Sequence, residues 1–246
     1  MRRLILVLLL MPLLLGQAYN VPFNPPAAAP NLGAHIYDDF ETDSSANWTG
    51  YGDWDGTPGT FYIDNGNDGM FTSTAHAGSA IHDTPMTTAT GYMCVQWNAD
   101  EYLGPKFRAS SNESDRSYII RMTPTDDIVF RHCLIDSCTT IDTENISGFG
   151  LGDRVGFIYS GIGSSTQVVY YYFDNATTDY CPGCDGSDCD TSGWAATADS
   201  SGTLTCDAVG DCGTGTNPEL DTNRYVGLYN GNTDAVAFDE FYAGDD

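Results

Sequence analysis

Two carboxylates two residues apart on a strand share a face. A pair held about 5–5.5 Å apart can act as acid and nucleophile in retaining glycoside hydrolysis. The chain offers this spacing as Glu-x-Asp three times: Glu41 with Asp43, Glu113 with Asp115, and Glu219 with Asp221. All three fall at the ends of strand-like runs or in turn-rich sequence, so none is set for catalysis. His-Glu-x-x-His and Gly-x-Ser-x-Gly are absent. His35, His76, His82 and His132 are scattered, and a Ser-His-Asp set assembled from distant loops is the one arrangement left open. No catalytic residue is assigned, and the chain reads as a non-enzyme.

Aromatic residues offer a different chemistry. The run QVVYYYF places Val168, Tyr170 and Tyr172 on one face of a strand and Val169, Tyr171 and Phe173 on the other. If the Val169 face meets the core, Tyr170 and Tyr172 stand on the opposite surface, with Trp97 of MCVQWN beside them. Aromatic faces stack on sugar rings and tyrosine hydroxyls bond to sugar oxygens. Trp97, Tyr170 and Tyr172 are therefore the candidate carbohydrate-binding residues. The alternative is that these tyrosines sit beneath the cysteine-rich segment that follows them.

Eight cysteines, at 94, 133, 138, 181, 184, 189, 206 and 212, read as disulfides behind a secretory leader. The run CPGC resembles half a zinc site, but the next pair is too widely spaced. Cys133 and Cys138 flank four residues between two strand-like runs, which predicts a local hairpin disulfide. Of the remaining six, five lie within 175–222. Either Cys94 bonds to one of those five, or two thiols stay free, or a partner chain supplies the missing one. The tether from Cys94 is the expectation, because it ties a long irregular segment to the domain.

These groups must be positioned by the rest of the chain. The opening MRRLILVLLLMPLLLGQA reads as a signal peptide over residues 1–18, too short in its apolar run to span a bilayer. Residues 19–33, with four prolines and three consecutive alanines, read as a linker or arm. Without Arg2 and Arg3 the balance is seven basic against 34 acidic residues, which excludes a nucleic-acid partner. The acids are mostly Asp, suited to turns and to Ca²⁺. Twelve short runs rich in β-branched and aromatic residues, separated by Gly, Asn, Asp and Ser, predict an all-β domain over 34–246. With no helices between them, these strands form a two-sheet antiparallel β-sandwich. Residues 175–222 break the rhythm and read as a disulfide-rich insertion.

The two ends echo each other, IYDDFETD near the start and AFDEFYAGDD at the close. YDDFETDSSANWTG, with Trp48 eight residues after the acidic-Phe strand, resembles the opening of concanavalin A-like jelly rolls of the lectin/glucanase superfamily. RYVGLYNGNTDAVAFDEFYAGD resembles their close. The resemblance implies that the first and last strands lie side by side and that the protein is a secreted, lectin-like module binding a glycan or polysaccharide. It also implies a structural Ca²⁺ held at Asp39, Gly69 and Asp239, in the manner of laminarinase-type members. Glucanases of that superfamily carry Glu-x-Asp-x-x-Glu. The position of the second Glu here holds Ala46, Tyr118 or Arg224, so their catalytic motif is not present. A structural or adhesive surface protein and a glycoside hydrolase with an unfamiliar site are the rival readings.

Overall fold

The computed structural model describes residues 34–40, 44–51, 60–61, 70–72, 78–97, 103–110, 116–134, 137–150, 152–161, 165–174, 181–185, 189–206, 223–230 and 236–245. The leader and linker, Gly69 and all three Glu-x-Asp pairs lie outside them. Contacts divide the chain into Met1–Asn31 and Leu32–Asp246, and the described residues belong to the second unit.

The described strands are β1 (His35–Asp38), β2 (Trp48–Tyr51), β3 (Thr60–Phe61), β4 (Met70–Thr72), β5 (Gly78–His82), β6 (Gly91–Trp97), β7 (Leu103–Ala109) and β8 (Arg116–Met122). They continue with β9 (Asp127–Leu134), β10 (Ser137–Asn145), β11 (Arg154–Ser160), β12 (Gln167–Phe173), β13 (Ser200–Thr205), β14 (Tyr225–Asn230) and β15 (Val236–Asp245). One sheet, sheet I, runs β13-β12-β11-β6-β15-β4-β3 with β1 also on β15; the other, sheet II, runs β10-β9-β8-β7-β14-β5-β2. The two sheets form the antiparallel β-sandwich that the strand rhythm predicts.

The terminal echo has a direct cause. β1 pairs with β15 in the register Ile36 with Ala243, Tyr37 with Tyr242 and Asp38 with Phe241. The two strands meet the same core at the same depth, so they use similar residues. Asp38 accepts hydrogen bonds from the Phe40 amide at 3.0 Å and Trp48 Nε1 at 2.6 Å. The Trp48 ring then packs edge-on against Phe241, with centroids 5.3 Å apart. The first acid of the motif thus anchors the tryptophan that closes the sandwich over Phe40 and Phe241.

Between the sheets Phe107 of β7 stacks on Tyr159 of β11 at 4.5 Å and on Tyr118 of β8 at 5.2 Å. Each fully buried aromatic of this kind contributes about 1.5–3 kcal/mol of transfer free energy. Arg108, at φ 49°, lies with its guanidinium 5.9 Å from the Tyr118 centroid and donates to the Ala89 carbonyl and the Thr166 hydroxyl.

Three strands fall outside the twelve predicted runs. β2 is short, and β7 contains Pro105 although it lies inside sheet II between β8 and β14. Proline has no N–H for the ladder, which is why that sequence does not read as a central strand. β13 corrects the reading of 175–222: SSGTLT, with only Leu204 buried, extends sheet I beyond β12.

Candidate ligand-binding face

The outward face of sheet I is covered around Cys94 by a stapled cap. Cys94 of β6 is bonded to Cys181, and Cys184 to Cys189. Cys206 is disulfide-bonded as well. The tether expected from Cys94 is therefore present, as is Cys133–Cys138. The short helix α1 (Trp194–Thr197) follows Asp190, whose side chain accepts from the Ser192 amide. It delivers Trp194, fully buried, onto Tyr92, Cys94, Phe173 and Tyr242. Trp194 Nε1 donates to the Pro182 carbonyl at 2.6 Å. Gly156 makes room for it, since a Cβ there would come within 2.6 Å of the indole. Further along this face Arg154 Nε lies 3.5 Å from Glu240 Oε2, and Arg154 also donates to Gln96.

The three predicted sugar-stacking residues belong to the core. Trp97, Tyr170 and Tyr172 are 1 %, 3 % and 5 % exposed and pack with Phe157, Val168 and Leu204 between the sheets. The strand parity was read correctly, but the Val168 face of β12 is the inner one. Tyr171 and Phe173 are the pair beneath the cap, where each ring meets Trp194. Tyrosine is tolerated inside because its hydroxyl finds a partner. Tyr172 donates to Asp153 at 2.8 Å. Burial, then that carboxylate, pushes its phenol pKa up, so it stays neutral.

The outward face of sheet II is built differently. Register places Lys106 of β7 opposite Ile119 of β8, and Ile119 opposite Arg131 of β9. One step along, Arg121 lies opposite Val129. Arg121 and Arg131 are thus diagonal neighbours on one face, at Cβ separations of about 7–8 Å. Both are half-buried, while Lys106, Ser117, Ile119 and Cys133 around them are buried. Tyr229 of β14 packs with Ile119 and Cys133. Lys106 donates to Ser79 at 3.1 Å, and Arg131 Nη2 to the Cys138 carbonyl at 3.0 Å. Burial lowers the pKa of the Arg131 guanidinium, the like charge of Arg121 lowers it further, and Tyr229 acts the other way. The face therefore carries cationic donors on rigid strands, and its one aromatic ring, Tyr229, is buried among them. Sequence reading missed it because single arginines on separate strands leave no motif.

A carboxylate pair on one strand also escaped the sequence reading. Asp142 and Glu144 lie two residues apart on β10, opposite Phe130 and Ile128. Asp142 accepts from its neighbour Thr143 and from the Thr205 amide of β13. It joins the edges of the two sheets, so its oxygens are committed to structure.

The expected Ca²⁺ positions can be followed through the ladders. Asp38 pairs with Phe241, which brings Asp39 to the end of β1 beside the Asp239–Phe241 bulge, where Glu240 has φ 49°. Met70, the residue after Gly69, pairs with Ala237, two residues before Asp239. The backbone thus brings Asp39 and Met70 towards one stretch of β15, while Gly69 lies outside the described residues. The Asp239 side chain lies outside the described set, and among the described residues no three His, Cys, Asp or Glu side chains form a metal cluster. Ca²⁺ accepts carbonyl oxygens together with carboxylates, so an ion here would draw on backbone oxygens beside the Asp239 carboxylate.

No family model matches the chain, and no curated protein matches it in sequence. Solved structures do. The carbohydrate-binding module CBM66 from Bacillus subtilis matches at 10% identity over 78% of this chain and 92% of its own, with a TM-score of 0.46. An endo-1,3-beta-glucanase from Streptomyces sioyaensis matches at 9% identity over 89% and 98%, with a TM-score of 0.46. Lectin II from Ulex europaeus matches at 12% identity over 86% and 97%, with a TM-score of 0.39. At these identities and TM-scores the matches say nothing of what this chain binds or does.

Proposed function

We propose that the protein is a secreted, non-catalytic, lectin-like module that binds a glycan on the outward face of sheet II and carries a structural Ca²⁺. The carrying observation is the contrast between the two outward faces. The cap stapled by Cys94–Cys181 covers sheet I around Trp194, whereas on sheet II Arg121 and Arg131 stay half-exposed with Tyr229 buried beside them. Sugar sites use a few fixed polar groups, and strands hold such groups better than loops. The disulfides suit an oxidising compartment. No described helix is long and apolar enough to cross a membrane. Ca²⁺, when bound, would supply a charge that pins the Asp39 end of β1, the Gly69 position and the Asp239 position of β15 together.

A glycan array tests this with two variants. Arg121→Ala removes the wild-type signals, while the core variant Tyr170→Phe keeps them. Loss in Tyr170→Phe and retention in Arg121→Ala would move the site elsewhere. Release of reducing sugar from mixed polysaccharides would return the protein to the enzymes.

A further inference from the structure

We infer that Asn47 is an N-glycosylation site and that Asn145, which stands in the same motif, is not. The inference rests on the secreted reading of the chain. Asn-x-Ser/Thr is the acceptor for oligosaccharide transfer in a secretory compartment. It occurs at Asn47-Trp48-Thr49, Asn112-Glu113-Ser114, Asn145-Ile146-Ser147 and Asn175-Ala176-Thr177. Asn112 and Asn175 lie outside the described residues. In the transfer, Nδ2 of the asparagine bonds to C1 of a lipid-linked oligosaccharide and the C1–O bond to the lipid diphosphate breaks. The lipid diphosphate leaves, and one Nδ2 proton passes to the transferase. The product amide keeps one N–H of two. A modified asparagine must therefore be exposed in the fold, and the fold must manage with one Nδ2 donor fewer.

Asn47 and Asn145 are both exposed, so the second condition decides between them. Asn145 Nδ2 donates to the Thr125 carbonyl at 3.3 Å, the Asp126 carbonyl at 3.2 Å and Asp127 Oδ1 at 3.0 Å. It holds the turn between β8 and β9, where Asp126 has φ 63°. A glycan on that nitrogen would leave one N–H for these acceptors and crowd the turn. Asn47 is placed differently. Its backbone amide donates to the Ser44 carbonyl at 2.8 Å and its carbonyl accepts from the Asp83 amide at 2.9 Å. Its side chain makes no hydrogen bond among the described residues. Trp48 turns inward, buried, with Nε1 on Asp38, so Asn47 and Thr49 are left exposed on either side of it. Because Trp48 is buried, the transfer precedes the docking of β2. Folding then keeps chains modified at Asn47 and rejects those modified at Asn145. β2 is an edge strand of sheet II and pairs, among the described residues, only with β5. A bulky, hydrated glycan at its start would blunt that edge against pairing with another chain. β2 stands four strand positions from β8, about 19 Å at the usual strand spacing, so the face around Arg121 and Arg131 stays clear.

The full chain with its own leader, expressed in a eukaryotic secretory cell line and collected from the medium, tests this. Digestion with peptide N-glycosidase in heavy-oxygen water, followed by peptide mapping, reads each site, since a released glycan leaves a labelled Asp where Asn stood. Asn47 should be occupied in most chains and Asn145 unmodified, and Asn47→Gln should migrate lighter by one glycan. After deglycosylation Asn47→Gln should melt with the wild type. Asn145→Ala should melt about 2–4 °C lower, the effect of about one net hydrogen bond in a domain of this size. An unmodified Asn47 in the secreted protein overturns the inference, and so does Asn145 occupied as fully as Asn47. An Asn145→Ala variant that melts with the wild type removes the ground for choosing between the two and overturns it as well. A chain that stays in the cytosol with its leader uncleaved removes the secreted reading itself, and the inference falls with it.

Discussion

Asp245 accepts from the backbone amides of Ala34 at 2.7 Å, Thr87 at 3.0 Å and Thr88 at 2.9 Å, and from both threonine hydroxyls. One carboxylate near the end of β15 therefore fastens the residue before β1 and the loop between β5 and β6. Burial works to raise its pKa, but the hydrogen bonds from Thr87 and Thr88 outweigh it and leave the group below its ordinary value. A depressed carboxylate pKa stabilises the fold above the unfolded value of about 3.9, and that contribution fades as pH falls through the lower folded value. Asp245→Asn keeps one acceptor and loses the charge, and should cost about 2 kcal/mol at pH 7. The difference from wild type should shrink in urea melts below about pH 3. A constant difference across that range would show that the charge is not what matters. In the sequence Asp245 was only one acid in an Asp-rich tail, because its partners lie 157 and 158 residues away. Trp48 was legible as part of a motif, but its partner was not: Asp38 holds it, whereas the family resemblance singles out Asp39.

At the scale of elements, period-two alternation located twelve strands and the face-sharing sets within them, including both faces of β12. It did not say which face was inner, since Val168, Tyr170 and Tyr172 differ from Val169, Tyr171 and Phe173 by a single hydroxyl. The cap decides it. Cysteine parity made the Cys94 tether legible, yet the cap closes over Tyr171 and Phe173 and leaves Tyr170 and Tyr172 inside. Removing the tether should separate its effect from that of the hairpin bond. Cys94 and Cys181 are 87 residues apart, and Cys133 and Cys138 only 5. Chain-entropy loss gives about 4.6 kcal/mol for the long loop and about 2 kcal/mol for the short one. The double variant Cys94→Ser, Cys181→Ser should therefore melt lower than Cys133→Ser, Cys138→Ser. Only the first should shift Trp194 emission to the red, as the indole loses its cover. Equal melting points and unchanged emission in both would mean that packing of Trp194 on Gly156 holds the cap without the bond.

At the largest scale, the unit Leu32–Asp246 is a sandwich whose first and last described strands are neighbours, and in such a topology the free ends of β1 and β15 are where fraying begins. Asp245 secures one end of that pair. At the other end stand Asp39 and the Glu240 bulge, with β4 meeting β15 two residues before Asp239. Ca²⁺ bound there would join three chain segments far apart in sequence and neutralise part of the acidic excess, and so favour the folded state over the unfolded one. At about 100 times its dissociation constant a ligand adds roughly 2.7 kcal/mol. For a domain of this size that corresponds to about 5–10 °C in Tm. Wild-type protein in millimolar Ca²⁺ should melt higher by that amount than in chelator. Asp239→Ala should melt at one temperature in both solutions. Mg²⁺ should substitute poorly, since it demands near-ideal octahedral geometry and gives up water reluctantly. Coincident wild-type melting curves in chelator and Ca²⁺ would remove the ion, and the Asp245 latch and the Trp48–Asp38 bond would then hold the two terminal strands together unaided.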